Sequence, residues 1–470
     1  MEVYLFGASL LGEKALKNLQ DKYKIIAFLD NDSNKWNKRI KGVEVLNPNY
    51  IRNKSSVIVI ITSSYYLQIV EQLKKIGVED IRVYFDGNIS NSFYIEKIEK
   101  CKLCKKTDAD ILLVISFYSI YIEEYTKKIF DKYNIRFDIL TRDKGYKSKL
   151  NNKCINNVYY YNNYDQFKNI IRFNEYKCIH IHYLEKNYIE IANSIRHNCE
   201  RLVITYWGSD FYRQSINDII DMKAFLDSAD IITFDNNSML DQWCNIIGVA
   251  SKKKCKITRF GLTNLEYIDQ NKIDKNSIKL VMNLPIEKII IMCGYNANEE
   301  QNHMQIFEEF AKLNNEIKNK IHLIVPMTYG NSNIDYMLKV KKLLKEINIS
   351  YTILIDFMDF SEMANLIKVT DIMIQVQTTD SLSATMLENL YAGNVVITGG
   401  WLPYEELRDN NIYFKSIDSI QHINFEIVNI IKNLKLEKNK CIVNRKKVYK
   451  LSSWENNIPE WFKLYFNEME

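Results

Sequence analysis

Short β-branched runs recur from one end of this chain to the other, with helix-length amphipathic stretches between them. Neighbouring parallel strands need a crossover and a helix supplies it, so the alternation predicts an α/β fold of parallel sheets flanked by helices. Strands at Glu2 to Phe6, Lys24 to Phe28, Val57 to Ile61 and Ile81 to Tyr84, with helices from Leu10 and over Tyr65 to Ile76, outline a small Rossmann-like unit at residues 1–100. A Lys/Cys-rich connector, Glu99 to Thr107, precedes a second unit at 108–270, with strands at Ile111 to Ser116, Cys178 to His182, Leu202 to Tyr206, Ile231 to Phe234 and Lys256 to Arg259. A third, at 271–450, has strands at Lys288 to Cys293, Ile321 to Pro326, Tyr351 to Ile355, Asp371 to Gln375 and Val395 to Thr398. The segment 451–470 carries Trp454, Trp461, Leu464 and Tyr465 at helical spacing and is expected to pack back on the 108–270 unit.

Composition narrows the function classes. Over 470 residues the net charge is only +5 and both signs are interspersed, which argues against a dedicated nucleic-acid binder. The densest basic run, Lys252, Lys253, Lys254 and Lys256, reads as a solvated loop, with an anionic membrane surface or a phosphorylated substrate as the alternative. The chain starts on a strand pattern with no signal-peptide character, no apolar run approaches membrane-spanning length, and nine scattered cysteines suit reduced thiols, so a cytoplasmic protein is expected. Cys101 and Cys104 form the one CxxC, which lacks a second ligand pair, and no metal site is expected.

The motif with most chemical content is Asp380-Ser-Leu-Ser-Ala-Thr-Met-Leu-Glu388, after the Asp371 to Gln375 strand. Eight residues of helix make about 2.2 turns, so Asp380 before the helix and Glu388 within it can both face a ligand at its N-terminus. Free N–H groups and the helix dipole there suit a diphosphate, and Ser381 and Ser383 are short enough to let it approach. Taken alone, the same spacing equally describes a capped helix with Asp380 as N-cap and Glu388 on the surface.

The flanking order, Tyr391-Ala-Gly393, Val395-Val-Ile397 and Gly399-Gly-Trp-Leu-Pro-Tyr-Glu405, resembles the retaining GT-B glycosyltransferases, whose signature is an acidic pair separated by seven residues. The resemblance implies two Rossmann-like domains facing a cleft, a nucleoside-diphosphate sugar as donor and no further cofactor. It places Asp380 near the donor sugar hydroxyls, the Ser381, Leu382 and Ser383 backbone on the diphosphate, and Glu388 on the ribose. Phe357 and Met358 would lie near the base, and Arg259 would reach the phosphates from the hinge.

The loop Gly294 to His303 offers Asn302 and His303 where that family usually has Arg and Lys. With Val325-Pro-Met-Thr-Tyr-Gly330 and Tyr206-Trp-Gly-Ser-Asp-Phe-Tyr212, it resembles the acetamido-dideoxygalactose transferases of enterobacterial common antigen. That likeness implies a glycan or lipid-linked acceptor in bacterial surface polysaccharide or glycoconjugate synthesis, with peripheral contact at the inner face of the plasma membrane. Asp210, after the Leu202 to Tyr206 strand, is expected to face the cleft as a catalytic residue on the acceptor side, orienting an acceptor hydroxyl or steadying developing positive charge; His180 and His182 read as core or rim residues.

The N-terminal Phe6-Gly-Ala-Ser-Leu-Leu-Gly12 and Asp30 stand in the strand–turn–helix context of a dinucleotide fingerprint, with Ser9 in place of the middle glycine. Gly7, Ser9, Gly12 and Asp30 are therefore nucleotide candidates, and a degenerate unit serving regulation or assembly is the alternative. Two rival functions stay open. One is a nicotinamide-dependent epimerase or oxidoreductase using this turn with Tyr94 and Lys97; the other is a nucleotide-sugar-binding partner without catalysis.

Overall fold

The structure is a computed structural model that describes residues 2–54, 56–63, 66–85, 88–90, 107–145, 152–172, 174, 176–191, 195–196, 198–329 and 333–466. Tyr94, Lys97, Cys101, Cys104 and Gly330 lie outside them. The chain divides into two compact units, Met1–Lys106 and Thr107–Glu470.

The first unit holds one seven-stranded sheet built from β1 (Glu2–Phe6), β2 (Ile25–Leu29), β3 (Arg39–Ile40), β4 (Val43–Leu46), β5 (Val57–Ile61), β6 (Asp80–Phe85) and β7 (Asn88–Ser90), in the order β3-β4-β2-β1-β5-β6-β7. Its central pairs are parallel and the β3–β4 and β6–β7 pairs antiparallel. Tyr4 and Phe6 pack on one face and Val3 and Leu5 on the other. Burial on both faces is why β1 reads as a continuous apolar run rather than an alternating one.

The second unit contains two sheets, each wholly parallel. The first is made of β8 (Ile111–Ile115), β9 (Phe137–Thr141), β10 (Ile155–Tyr160), β11 (Tyr176–His182), β12 (Cys199–Thr205), β13 (Ile231–Phe234) and β14 (Cys255–Ile257), in the order β10-β9-β8-β11-β12-β13-β14. The second has β15 (Ile289–Cys293), β16 (Ile321–Pro326), β17 (Ser350–Leu354), β18 (Ile372–Gln375), β19 (Val395–Gly399) and β20 (Lys415–Ile417), in the order β17-β16-β15-β18-β19-β20. The chain builds each sheet outward in one direction and then returns to build the other side. The reversals fall between β8 and β11 and between β15 and β18, and such switch points leave a crevice at the strands' C-terminal ends.

The helix Trp454–Tyr465 packs Trp454, Trp461 and Leu464 against Ile111, Leu113, Ile115 and Val203 of the first of these sheets. Its Trp461 indole N–H donates to the carbonyl of Arg259 at 2.7 Å. His180 and His182 are fully buried in the same core, 3.9 Å apart between ring centroids, and burial pushes His182 down to about 3. Of the basic run, Lys252 pairs with Asp241 at 2.7 Å and the Lys254 ammonium donates to the Leu226 carbonyl at 2.6 Å. Among the described residues no helix is long and apolar enough to cross a membrane.

Candidate functional site

The helix Ala384–Ala392 starts at the C-terminal side of β18, where the sequence places the acidic motif. Its cap is Ser383, whose hydroxyl oxygen accepts from the Met386 N–H at 3.3 Å; Asp380 does not cap it. Asp380 instead receives the Tyr404 hydroxyl and lines a cavity of about 240 Å³ together with Leu382, Ser383 and Arg259. Burial raises the Asp380 carboxyl, opposed by the Tyr404 hydroxyl and by the Ser381 and Ser383 amides. Ala384 and Thr385 line the same cavity, and the described residues leave their N–H groups unengaged. These are the first two amides of the helix, where an anion is most favoured.

Glu388 and Phe357 open on an adjoining cavity of about 200 Å³, which shares Tyr121, Leu262, Tyr295, Tyr329 and Thr385 with the first. Glu388 is buried, and burial pushes its carboxyl up to about 8 against a bond from Asn264. Phe357, by contrast, is 73% exposed, an apolar surface open to a flat ring. A third cavity of about 320 Å³, lined by Trp207, Ser209, Arg213 and Asn296, meets the first at Asp380.

The Ser381 hydroxyl, expected as a phosphate donor, is engaged elsewhere. It donates to Asp235 and accepts from Asn236 Nδ2 at 3.0 Å, a tie between the two sheets of the second unit. Ser381 also meets Gly208 so closely that a Cβ there would lie 2.6 Å from its own Cβ, and Gly208 has φ +101°. Only glycine suits both constraints. Arg259 reaches the cavity, but its guanidinium pairs with Glu406, and its buried Nε has no hydrogen-bond partner among the described residues.

Asp210 does not face the cleft. It is 2% exposed, and its two oxygens accept the Leu184 and Trp207 N–H groups, each at 2.8 Å. The left-handed Gly208 turn swings it back under its own loop, and burial pushes its carboxyl up to about 7. Asn302 and His303 also turn away from the lining of the three cavities. The Asn302 amide donates to the Val376 carbonyl at 2.8 Å, and fully buried His303 contacts the Tyr336 hydroxyl at 3.1 Å. Gly294 supplies φ +66° at the end of β15, and a Cβ there would sit 2.9 Å from His303 Nε2.

In the first unit, Gly7 and Gly12 answer to packing. A Cβ on Gly7 would lie 2.7 Å from the Thr62 carbonyl oxygen, and one on Gly12 2.1 Å from the Gly7 carbonyl oxygen. Asp30 accepts the Ala8 N–H at 2.8 Å and the Lys35 ammonium at 3.1 Å on one oxygen, and the Asp32 N–H at 2.9 Å on the other. The carboxylate expected at a ribose thus braces its own turn, and Ser9 makes no side-chain cap bond. Asp32 caps the short turn Ser33–Lys35. Among the described residues no cluster of three or more His, Cys, Asp or Glu side chains is placed to hold a metal.

Asp235, Asn236, Tyr404 and the amides of Ala384 and Thr385 escape the reading from sequence. Asp235 is the residue that follows β13, so checking the residue after every strand would single it out for attention, though not for a role.

Comparison with known proteins fits this geometry. Residues 1–84 match the family model "C2185-like, N-terminal", and residues 110–236 match "Glycosyl transferase 4-like". No curated protein matches the chain. Among solved structures, HepE of Anabaena in complex with UDP and glucose is similar at TM-score 0.62 and 11% identity, over 75% of this chain and 98% of that one. Sucrose-phosphate synthase of Thermosynechococcus elongatus is similar at TM-score 0.62 and 13% identity, over 76% and 98%. A glycosyltransferase of Rickettsia africae gives 0.61 and 15%, over 77% and 98%. The chain thus carries a glycosyl transferase 4-like domain at residues 110–236, within a unit that has the GT-B fold of glycosyltransferases.

Proposed function

We propose that the chain transfers a sugar from a nucleoside diphosphate to the hydroxyl of a glycan or lipid-linked acceptor. The observation that carries this reading is the convergence of Asp380, Arg259 and the free Ala384 and Thr385 amides on one cavity, with Glu388 and Phe357 in the next. In this assignment the two amides and the helix dipole hold the diphosphate, Glu388 meets the ribose, Phe357 the base, and Asp380 the sugar hydroxyls. Arg259 exchanges Glu406 for phosphate when donor arrives. The barrier is charge separation at the anomeric carbon, and donors preset around the leaving diphosphate lower it without reorganising. HepE, of the same fold, is described in complex with UDP-glucose.

Retention of configuration, a role in bacterial surface polysaccharide or glycoconjugate synthesis, and a cytoplasmic site with peripheral contact at the membrane belong to the same proposal. Retention rests on the order of the motifs around Asp380 and Glu388. The polysaccharide role and membrane contact rest on the likeness carried by Tyr206 to Tyr212 and the loop Gly294 to His303, and the cytoplasmic site on the scattered cysteines. The reading calls for no cofactor beyond the donor. Incubation with a panel of radiolabelled nucleotide sugars tests it, with slow donor hydrolysis as the readout and Asp380→Ala and Glu388→Ala as controls. Tight binding without hydrolysis or transfer of any donor counts against the transferase and for a binding partner.

A further inference from the structure

Asp235 has no part in the donor assignment, yet it opens on the donor cavity from the other sheet. It follows β13, in the sheet opposite the donor helix, and lines the same cavity as Asp380 and Arg259. Its Oδ1 is fixed from two sides, by Asn236 Nδ2 at 2.8 Å and by the hydroxyl of Ser381, the residue next to Asp380. Its Oδ2 takes no hydrogen bond from the described residues. A carboxylate with one oxygen anchored and the other open to a cavity is preset to accept a proton from whatever hydroxyl enters.

We propose that Asp235 binds the acceptor hydroxyl and takes its proton during transfer, an assignment that rests on the transferase reading above. The acceptor oxygen bonds to the anomeric carbon on the face that the diphosphate leaves, as retention requires, while the bond from that carbon to the diphosphate oxygen breaks and its electron pair leaves on the diphosphate. The proton passes to Asp235 Oδ2 and from there to water.

The surrounding charges suit the role. Burial, then Asp380 and Glu406, raise the Asp235 carboxyl to about 7, while the Ser381 hydroxyl and Arg259 hold it down; Tyr212 is the other titratable group facing it. A base works best with a pKa near the working pH, ionised often enough yet still basic.

Donor hydrolysis tests this in the full chain, with water standing in for the acceptor hydroxyl and UDP, or the nucleoside diphosphate that binds, as the affinity probe. Wild type is expected to lose kcat as pH falls through about 7. Asp235→Asn preserves the shape and the Oδ1 acceptor. It should lower kcat about 10²-fold or more, remove that acid limb and leave nucleotide affinity unchanged. Asp235→Glu should recover part of the rate together with the limb. An Asp235→Asn protein that binds nucleotide and keeps the wild-type rate or the wild-type limb overturns the assignment, as does one that loses nucleotide binding in step with rate. A wild-type chain that binds nucleotide and turns over no donor overturns the transferase reading and this one together. Turnover unaffected by Asp235→Asn overturns this one alone.

Discussion

The turn at Gly7 in the first unit and the loop at Asp380 in the second are built from the same parts: a parallel strand, a tight turn, a helix and a nearby acid. They end differently. Asp30 spends both oxygens on the Ala8 and Asp32 amides and on Lys35, whereas Asp380, met by the Tyr404 hydroxyl and approached by the Ser381 and Ser383 amides, still lines a cavity. Asp210 belongs with Asp30, since it is buried and each of its oxygens takes a backbone amide. An acid at the C-terminal end of a strand is therefore a brace or a ligand group according to whether the fold encloses it among its own donors or leaves it lining a cavity. Position in the motif does not decide between them.

The largest expected effect follows from that contrast. Asp380→Ala removes a group aimed at the reacting sugar and should lower donor turnover by about 10²–10³-fold, the usual range for a lost group that stabilises developing charge. Asp30→Asn, which loosens a brace in the other unit, should leave turnover within about twofold and show instead as a lower unfolding temperature, since its cost is a weakened buried hydrogen bond. Turnover measured beside thermal melts separates the two; a collapse of turnover in Asp30→Asn would break the comparison.

Next in size is the junction that holds the loop at Asp380 in place. Gly208→Val puts a β-branched side chain at φ +101° and a Cβ 2.6 Å from that of Ser381. Strain and overpacking each cost about 1–3 kcal/mol. The variant should melt several degrees lower and lose donor turnover, because the two sheets can no longer meet at Ser381. Wild-type melting would show that the junction yields freely and that the Asp235 to Ser381 tie does not set the cleft.

How far the sequence carries this contrast differs between fold and site. Strands buried on both faces, such as Val57–Ile61, are continuous apolar runs and are legible from composition alone. The edge strand Ile155–Tyr160 is not, because its INNVYY residues are all half-buried and Asn-rich, and Lys415–Ile417 is too short to carry a pattern. In the site, Asp380 and Glu388 are legible because both belong to one local segment whose spacing fixes their relation. Asp235 is not, because its meaning comes from Ser381, 146 residues away. The reversal of Asp210 depends on one left-handed glycine, Gly208, whose φ no spacing rule reports.

A smaller effect sharpens the brace reading of Asp210. Its carboxyl stands at about 7 in the fold against 3.8 as the ordinary value, so the fold favours its protonated form. That contribution to stability is complete below about pH 4 and is lost as pH rises through about 7. Asp210→Asn carries no such proton and leaves one of the Leu184 and Trp207 amides unpaired, at a cost of about 1–3 kcal/mol. The melting-temperature gap between wild type and variant should therefore be widest near pH 4, shrink as pH rises and be narrow by pH 8. A gap that widens with pH would mean that the ionised carboxylate is the form the two amides prefer.

The smallest effect concerns Glu388, whose carboxyl burial holds at about 8, so that near neutral pH it is mostly protonated when the site is empty. A ribose offers hydroxyl protons, which an ionised carboxylate accepts better than a carboxylic acid does. Nucleotide binding should then strengthen as pH rises from 7 to 9, by up to about tenfold, since one pKa unit corresponds to about 1.4 kcal/mol between the two forms. Glu388→Gln has no proton to lose and should bind with a flat profile over that range. Calorimetric titration with UDP at several pH values reads the difference directly. Identical slopes in the two proteins would place Glu388 with Asp30 and Asp210, among the acids that hold the fold, and would leave Asp380 as the only member of the pair that meets the donor.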